Sequence, residues 1–225
     1  MHSISSLDEI HQTALLEGVA LLSRFYWGPD TDGSLDSLWR IYLKPFEALK
    51  PIVSYEPPAI IDELKAINTS FTGEDEIFQN LEQTYVRLFI NNRDGITAPL
   101  YASCYEAGSA PGQDAPLMGP PAVLMKERFE SKGLSLGDHI HEPPDHLSIE
   151  LEYLYFLLEK GWSEDDAALQ KEAVSFADEI MLPWVIKFQE RFVAVETESR
   201  FYQLITAILC TILRFIGASN KEVKP

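Results

Sequence analysis

Basic residues are scarce in this 225-residue chain: 18 Lys and Arg stand against 35 Asp and Glu, a formal charge of -17. Such a field repels phosphate backbones and anionic lipid, so nucleic acid is not the expected partner and a cationic segment is. Cysteine is nearly absent. Cys104 and Cys210 lie far apart and form no Cys-x-x-Cys pair, so neither a disulfide framework nor a zinc knuckle is indicated, and both read as reduced core thiols. Also missing are a Gly-x-Ser-x-Gly elbow, a His-Glu-x-x-His helix, a Gly-x-x-x-x-Gly-Lys phosphate loop and a Gly-x-Gly-x-x-Gly fingerprint. Their absence weakens an enzymatic reading, and no catalytic residue, cofactor or metal is assigned. Met1 to Ile10 carries Asp8 and Glu9 with no Lys or Arg, the opposite of a secretory n-region, so the expected location is the cytoplasm. Phe201 to Ile216 is strongly apolar, but its 16 residues include Gln203 and Arg214. A spanning helix wants about 20 apolar residues, so this stretch reads as a central core helix and no stable membrane insertion is expected.

What the chain does have is apolar mass: 46% hydrophobic residues, with 12 Phe, 9 Tyr and 4 Trp, enough to offset conformational entropy by burial. The apolar residues recur at helical steps. Leu7, Ile10, Ala14, Leu21, Leu22 and Phe25 lay one stripe along a helix that ends near Gly28-Pro29. The same spacing gives Leu35, Leu38, Tyr42 and Leu49, then Ile60, Leu64 and Ile67, then Ile77, Leu81, Tyr85 and Leu88. No run shows the strict alternation of a half-buried strand, so a sheet is not expected.

From Asn91 to Gly119 the pattern dissolves into a Gly- and Pro-rich stretch that carries Tyr101 and Tyr105 and reads as an ordered, functional loop. A helix resumes from about Pro121 to Ser131, with Gly133 as its cap. After the break Gly137–His146, Leu147, Leu151, Leu154, Tyr155 and Leu158 share one face of a helix that Gly161 ends. Ser163 is read as opening the next helix, with Glu164, Asp165 and Asp166 in its first turn, and that helix runs on past Pro183 with a kink. The fold class is therefore all-α: a helical bundle of two lobes, 1–136 and 147–225, joined by a proline-containing hinge at 137–146.

The one dense polar constellation is Asp138, His139, His141, Glu142, Asp145 and His146, with Glu150 one turn on. Imidazole beside carboxylate is a metal-ligand set, but Pro143-Pro144 fixes the backbone in an extended form, and no Cys or regular His spacing defines a coordination shell. The plainer reading makes Asp145 the cap of the following helix and pairs His146 with Glu150 at i,i+4, the carboxylates favouring the charged imidazole. Tyr85, Phe89, Tyr101 and Tyr105 divide in the same way, between core and ligand surface.

Taken in order, these motifs resemble the TorD/DmsD family of redox-enzyme maturation chaperones. EPPDHLSIELEYL, Glu142 to Leu154, is similar to that family's Glu-Pro-x-Asp-His signature and the acidic, apolar helix after it. YVRLF (Tyr85 to Phe89), PLYASCYEAG (Pro99 to Gly108) and GPPAVLMKERFESKGL (Gly119 to Leu134) complete the order. The chain departs from the pattern at Pro144, a second proline, and by lacking a tryptophan in the loop before Gly119. The resemblance implies a cytoplasmic chaperone that is not an enzyme. It would bind the twin-arginine signal peptide and the apo form of a molybdoenzyme reductase precursor during cofactor insertion, as a monomer or a hinge-swapped dimer. Carried over by position, Pro143, Asp145 and His146 are hinge contacts, Glu142 stands beside them, and Tyr85, Leu88 and Phe89 belong to the peptide groove. A cationic, apolar signal needs carboxylates beside an exposed hydrophobic groove, which an acidic hinge next to an aromatic helix can supply. Two other readings remain at this point: a metal-dependent helical hydrolase using His139, His141, Glu142, Asp145 and His146, and a helical scaffold that binds a folded protein.

Overall fold

The computed structural model describes residues 4–29, 43–70, 74–91, 95–106, 117–137 and 140–219. Of the expected helical stripe Leu35, Leu38, Tyr42 and Leu49, the first three lie outside them, as do the cluster members Asp138 and His139. Among the described residues every extended element is helical, and the one β-bridge is isolated, between Tyr101 and His146.

α1 (Glu9–Trp27) starts at Asp8, whose Oδ1 accepts from His11 N at 2.9 Å, and stops at Gly28, where φ is +97°. α2 covers 43–49, α3 is Ile60–Ser70 and α4 is Glu74–Tyr85. A π turn, Val86–Ile90, continues α4 and closes with Asn91 N donating to Val86 O at 2.8 Å. A 3-10 turn at Ala102–Tyr105 precedes α5 (Pro120–Ser131), after which Gly133, at φ +68°, donates to Glu130 O as the sequence predicts.

α6 (Leu147–Ser163) runs through Gly161 rather than ending there. Gly161 is buried where α7 (Ala167–Ser175) crosses, and its carbonyl accepts from Gln170 Nε2 at 2.9 Å. Ser163 closes α6 and does not open α7; the cap is Asp166, whose Oδ1 accepts from Ala168 N and Leu169 N. The helix runs on past Pro183 as expected: a second π turn, Phe176–Met181, joins α7 to α8 (Leu182–Phe192), and the proline sits in the first turn of α8.

α9 (Phe201–Ala218) is the central helix the sequence predicts. It is long and apolar enough to cross a membrane by length and composition, yet 83% of it is buried inside the protein against α3, α7, α8 and the second π turn. Each Leu or Ile fully buried there stabilises the fold by about 1.5–3 kcal/mol. Cys104 and Cys210 are buried and not joined in a disulfide.

Buried residues from both sides of 137–146 belong to one continuous apolar cluster. α1 packs along α6 at close range, where Ser23 Oγ donates to Ser148 O at 3.1 Å and Ser148 Oγ returns a bond to Ser23 O at 2.9 Å. That contact fixes the end of α1 beside the start of α6, and so builds the site.

Candidate functional site

Pro143 begins a tight turn: its carbonyl accepts from His146 N at 3.0 Å. The turn is laid against the Tyr101 segment by two backbone bonds, Ala102 N to Asp145 O at 3.1 Å and Leu147 N to Leu100 O at 2.8 Å. Two stretches far apart in sequence are thereby held as one surface.

Asp145 is fully buried, and its Oδ2 accepts from Ser103 N at 2.8 Å and from Ser103 Oγ at 2.5 Å. Ser103 Oγ in turn accepts from Gly119 N at 3.2 Å, which links the entrance of α5 to the hinge. Asp145 therefore does not cap α6. His146 does, with Nδ1 accepting from Ser148 N at 3.2 Å; the acceptor role leaves the ring proton on Nε2.

The expected pairing of His146 with Glu150 is not formed. His146 stacks on Trp27, with ring centroids 5.0 Å apart at 16°, and meets the Tyr101 ring edge-on at 5.2 Å. Burial between these rings pushes the imidazole down to about 4, against a smaller opposing pull from Glu142, so it is neutral at neutral pH. The sequence-based expectation of a charged imidazole counted neighbouring carboxylates and not desolvation.

Glu142 is half-buried and accepts from Tyr101 Oη at 2.5 Å. Tyr85 stands near it and donates its hydroxyl to Tyr26 O at 3.0 Å, in the last turn of α1. Burial, then the Glu142 charge, pushes both the Tyr85 and the Tyr101 phenols well above their ordinary range. Gly28 lets the chain pass close to Tyr85, since a Cβ there would lie 3.1 Å from the ring at a φ that L side chains avoid. On the far side Trp27 Nε1 donates to Glu152 Oε1 at 3.0 Å. The result is a face of Trp27, Tyr85, Tyr101 and His146 edged by the carboxylates of Glu142 and Glu152. Carboxylates hold guanidinium groups through charge-assisted bonds, and aromatic faces attract the same cations.

Leu88 and Phe89 do not reach this face. Both are buried within the π turn, and the Phe89 ring packs among Tyr85, Phe188, Phe192 and Tyr202 with centroids 5.1–5.6 Å away. As placed they are core; Val86 and Ile90 are the exposed apolar members of that turn. Nor do the described members of the cluster converge as a metal shell would: His141 is exposed, Glu142 bonds Tyr101, Asp145 bonds Ser103 and His146 faces Trp27. Sequence reasoning missed Trp27, Ser103 and Glu152. Ser103 lies within the PLYASCYEAG stretch and Glu152 within EPPDHLSIELEYL, and Trp27 stands just before Gly28-Pro29 at a helix end, but no local pattern singled out any of the three.

The described elements are helical, as the sequence leads one to expect, and they clamp the Glu-Pro-Pro-Asp-His turn to a Tyr-Ala-Ser loop. The family described as nitrate reductase delta subunit matches residues 57–190, and the chain belongs to that family, which takes in the TorD-type proteins. Among relatives, a chaperone protein TorD from Histophilus somni (strain 129Pt) is 29% identical over 133 residues, covering 59% of this chain and 61% of the relative. Another from Psychrobacter sp. (strain PRwf-1) is 32% identical over 131 residues, covering 57% and 55%. The chain thus matches less than two thirds of the length of these two. A third, from Aliivibrio fischeri (strain ATCC 700601 / ES114), is 27% identical over 169 residues, covering 73% of each chain.

Proposed function

We propose that this chain is a cytoplasmic chaperone, not an enzyme, that binds the twin-arginine signal peptide and apo form of a molybdoenzyme reductase precursor while cofactor is inserted and before export. Family membership supports the chaperone role. The observation that carries the peptide reading is the Glu142 carboxylate set between Tyr101 and Tyr85 at the Glu-Pro-Pro-Asp-His turn, with Trp27 and Glu152 across the stacked His146. The arginines of the signal pair with Glu142 and Glu152, and its apolar segment lies along the aromatic rings. Pro143 shapes the turn, and Asp145 and His146 act from beneath, holding the turn to the Tyr101 segment. Leu88 and Phe89 support Tyr85 from the core; they meet the peptide only if the π turn opens. The chain works as a monomer, or as a dimer exchanged at 137–146 between lobes 1–136 and 147–225.

Calorimetric titration with an isolated twin-arginine signal peptide tests this. Saturable binding is expected, with Glu142→Gln weakening it about tenfold or more at unchanged Tm. A helical scaffold for a folded partner would ignore the peptide. Absence of saturable binding, or equal affinity in wild type and Glu142→Gln, overturns the reading of this face.

A further inference from the structure

A second acidic site adjoins the Ala102–Tyr105 turn. Between α5 and α8, beside the Ala102–Tyr105 turn, is a cleft of about 270 Å³ with Leu124, Met125, Ile180, Pro183 and Trp184 in its walls. Glu150 lines it from α6. This residue is fully buried; its Oε2 accepts from Trp184 Nε1 at 2.9 Å, while Oε1 has no hydrogen-bond partner. A buried carboxyl oxygen left unpaired beside a cavity is costly, and a ligand that supplies the missing partner recovers that cost.

The surroundings specify the ligand. Glu106 and Glu179 add two more carboxyl groups to the lining. The two cations there are already engaged: Lys187 Nζ donates to Tyr105 O at 2.9 Å, and Arg128 lies 3.6 Å from Glu172 and over the Phe176 ring at 5.5 Å. The cleft is below the roughly 300–1,000 Å³ of a drug-sized or cofactor pocket, so it suits one long side chain. The wall residue Leu124 is 52% exposed, and Met118, at the entrance to α5, is 58% exposed with a left-handed φ of 63°. Apolar surface therefore continues outward from an acidic floor.

We infer that this cleft is a separate docking site for an arginine side chain flanked by apolar residues in a polypeptide segment, with the guanidinium on Glu150 and the apolar neighbours on Leu124 and Ile180. Arginine fits better than lysine, because its planar fork is weakly hydrated and loses less on entering a half-apolar cleft. The inference rests on the chaperone reading only for the source of the segment, a client chain. Burial pushes the Glu150 carboxyl up to about 8, with a further push from Asp145, so at neutral pH an arriving guanidinium displaces a proton from it.

The test uses the full chain and the capped tripeptide N-acetyl-Leu-Arg-Leu-amide, with its citrulline counterpart as the neutral match. The nitrogen-15 resonance of the Trp184 indole, donor to Glu150, reports occupancy. The arginine peptide is expected to shift that resonance saturably, to bind about tenfold or more tightly than the citrulline peptide, and to release about one proton per peptide at pH 7. Glu150→Gln keeps an acceptor for Trp184, so it folds, and it reduces the affinity to that of the citrulline peptide. Equal affinity of the two peptides, or an unchanged affinity in Glu150→Gln, overturns the inference. Glu142→Gln separates the two sites: if it abolishes tripeptide binding while Glu150→Gln does not, the tripeptide occupies the hinge face, and the cleft proposal falls while the hinge reading stands.

Discussion

Ser103 holds the Asp145 carboxyl from two atoms at once, its backbone N at 2.8 Å and its Oγ at 2.5 Å, across 42 residues of chain. Asp145 is fully buried, so the pair fastens the turn and is not presented to solvent. Asp145→Ala strands two buried donors, and a loss of about 2–4 kcal/mol is expected in denaturant unfolding. Because both residues serve one contact, Ser103→Ala added to Asp145→Ala is to cost clearly less than the sum of the single changes. Additive losses would mean that the two side chains act independently.

His146 is expected to titrate near 4, measured by proton NMR of its ring, and not near its ordinary 6.5. Between those values the unfolded chain binds the extra proton. The His146 contribution to stability therefore rises with pH across that window and is complete above 6.5. Signal-peptide affinity is to show no step from this imidazole between pH 6 and 8. A step centred near 6.5 that His146→Gln removes would contradict the buried, neutral ring.

Helix existence was legible because apolar spacing is a local record of one buried face: Phe201 to Ile216 folds as its period demands, and Ala14, Leu21 and Leu22 of the first stripe are buried along α1, whereas Ile10 is 72% exposed and Leu7 lies before the cap. Terminators were less legible. Gly161 looks like a stop, yet it stays helical because Gln170 of the next helix crosses there, a relationship that exists only once the chain is packed. The site was readable as a place but not as a set of contacts. Asp145 next to a helix start suggests a cap, and nothing nearby in sequence announces that Ser103 takes its carboxyl and leaves the capping to His146. Leu88 and Phe89 were placed in the groove by resemblance alone, although helical spacing already set Leu88 on the apolar stripe with Ile77, Leu81 and Tyr85; both are buried within the π turn.

Gly161→Ala tests that crossing. A Cβ at this position would lie 2.9 Å from Gln170 Cγ and 3.1 Å from its backbone N. Alanine gains about 1 kcal/mol of helix propensity over glycine, while overpacking at a fixed crossing costs about 1–3 kcal/mol. The clash is expected to win, lowering Tm by about 2–6 °C. A Tm equal to or above that of the wild type would mean that α7 yields freely.

Ionic strength separates a carboxylate-held peptide from one held by apolar contact alone. The screening length falls from about 30 Å at 0.01 M salt to about 8 Å at 0.15 M. Affinity for the twin-arginine peptide at the Glu142 and Glu152 face is therefore to weaken severalfold across that range in calorimetric titration, mainly through slower association. A flat response would assign the binding to the aromatic rings.

Glu150 makes the opposite pH prediction to His146, and the two can be told apart by window. Its carboxyl is raised from 4.5 to about 8 by burial, with Asp145 adding to the shift and the Trp184 indole and Arg128 opposing it. Between 4.5 and 8 the folded protein holds a proton that the unfolded chain has lost, so this contribution is complete below 4.5 and is lost as pH rises toward 8. From 4.5 to 6.5 the His146 and Glu150 slopes oppose each other. Above 6.5 only Glu150 acts, and from pH 6.5 to 8 it is expected to remove on the order of 1–2 kcal/mol, a fall in Tm of about 3–6 °C. Glu150→Gln still accepts from Trp184 Nε1 and has no proton to lose, so its Tm is to stay level over the same interval. If wild type and Glu150→Gln fall together from pH 6.5 to 8, the slope belongs to another group, and Glu150 is already ionised in the folded chain.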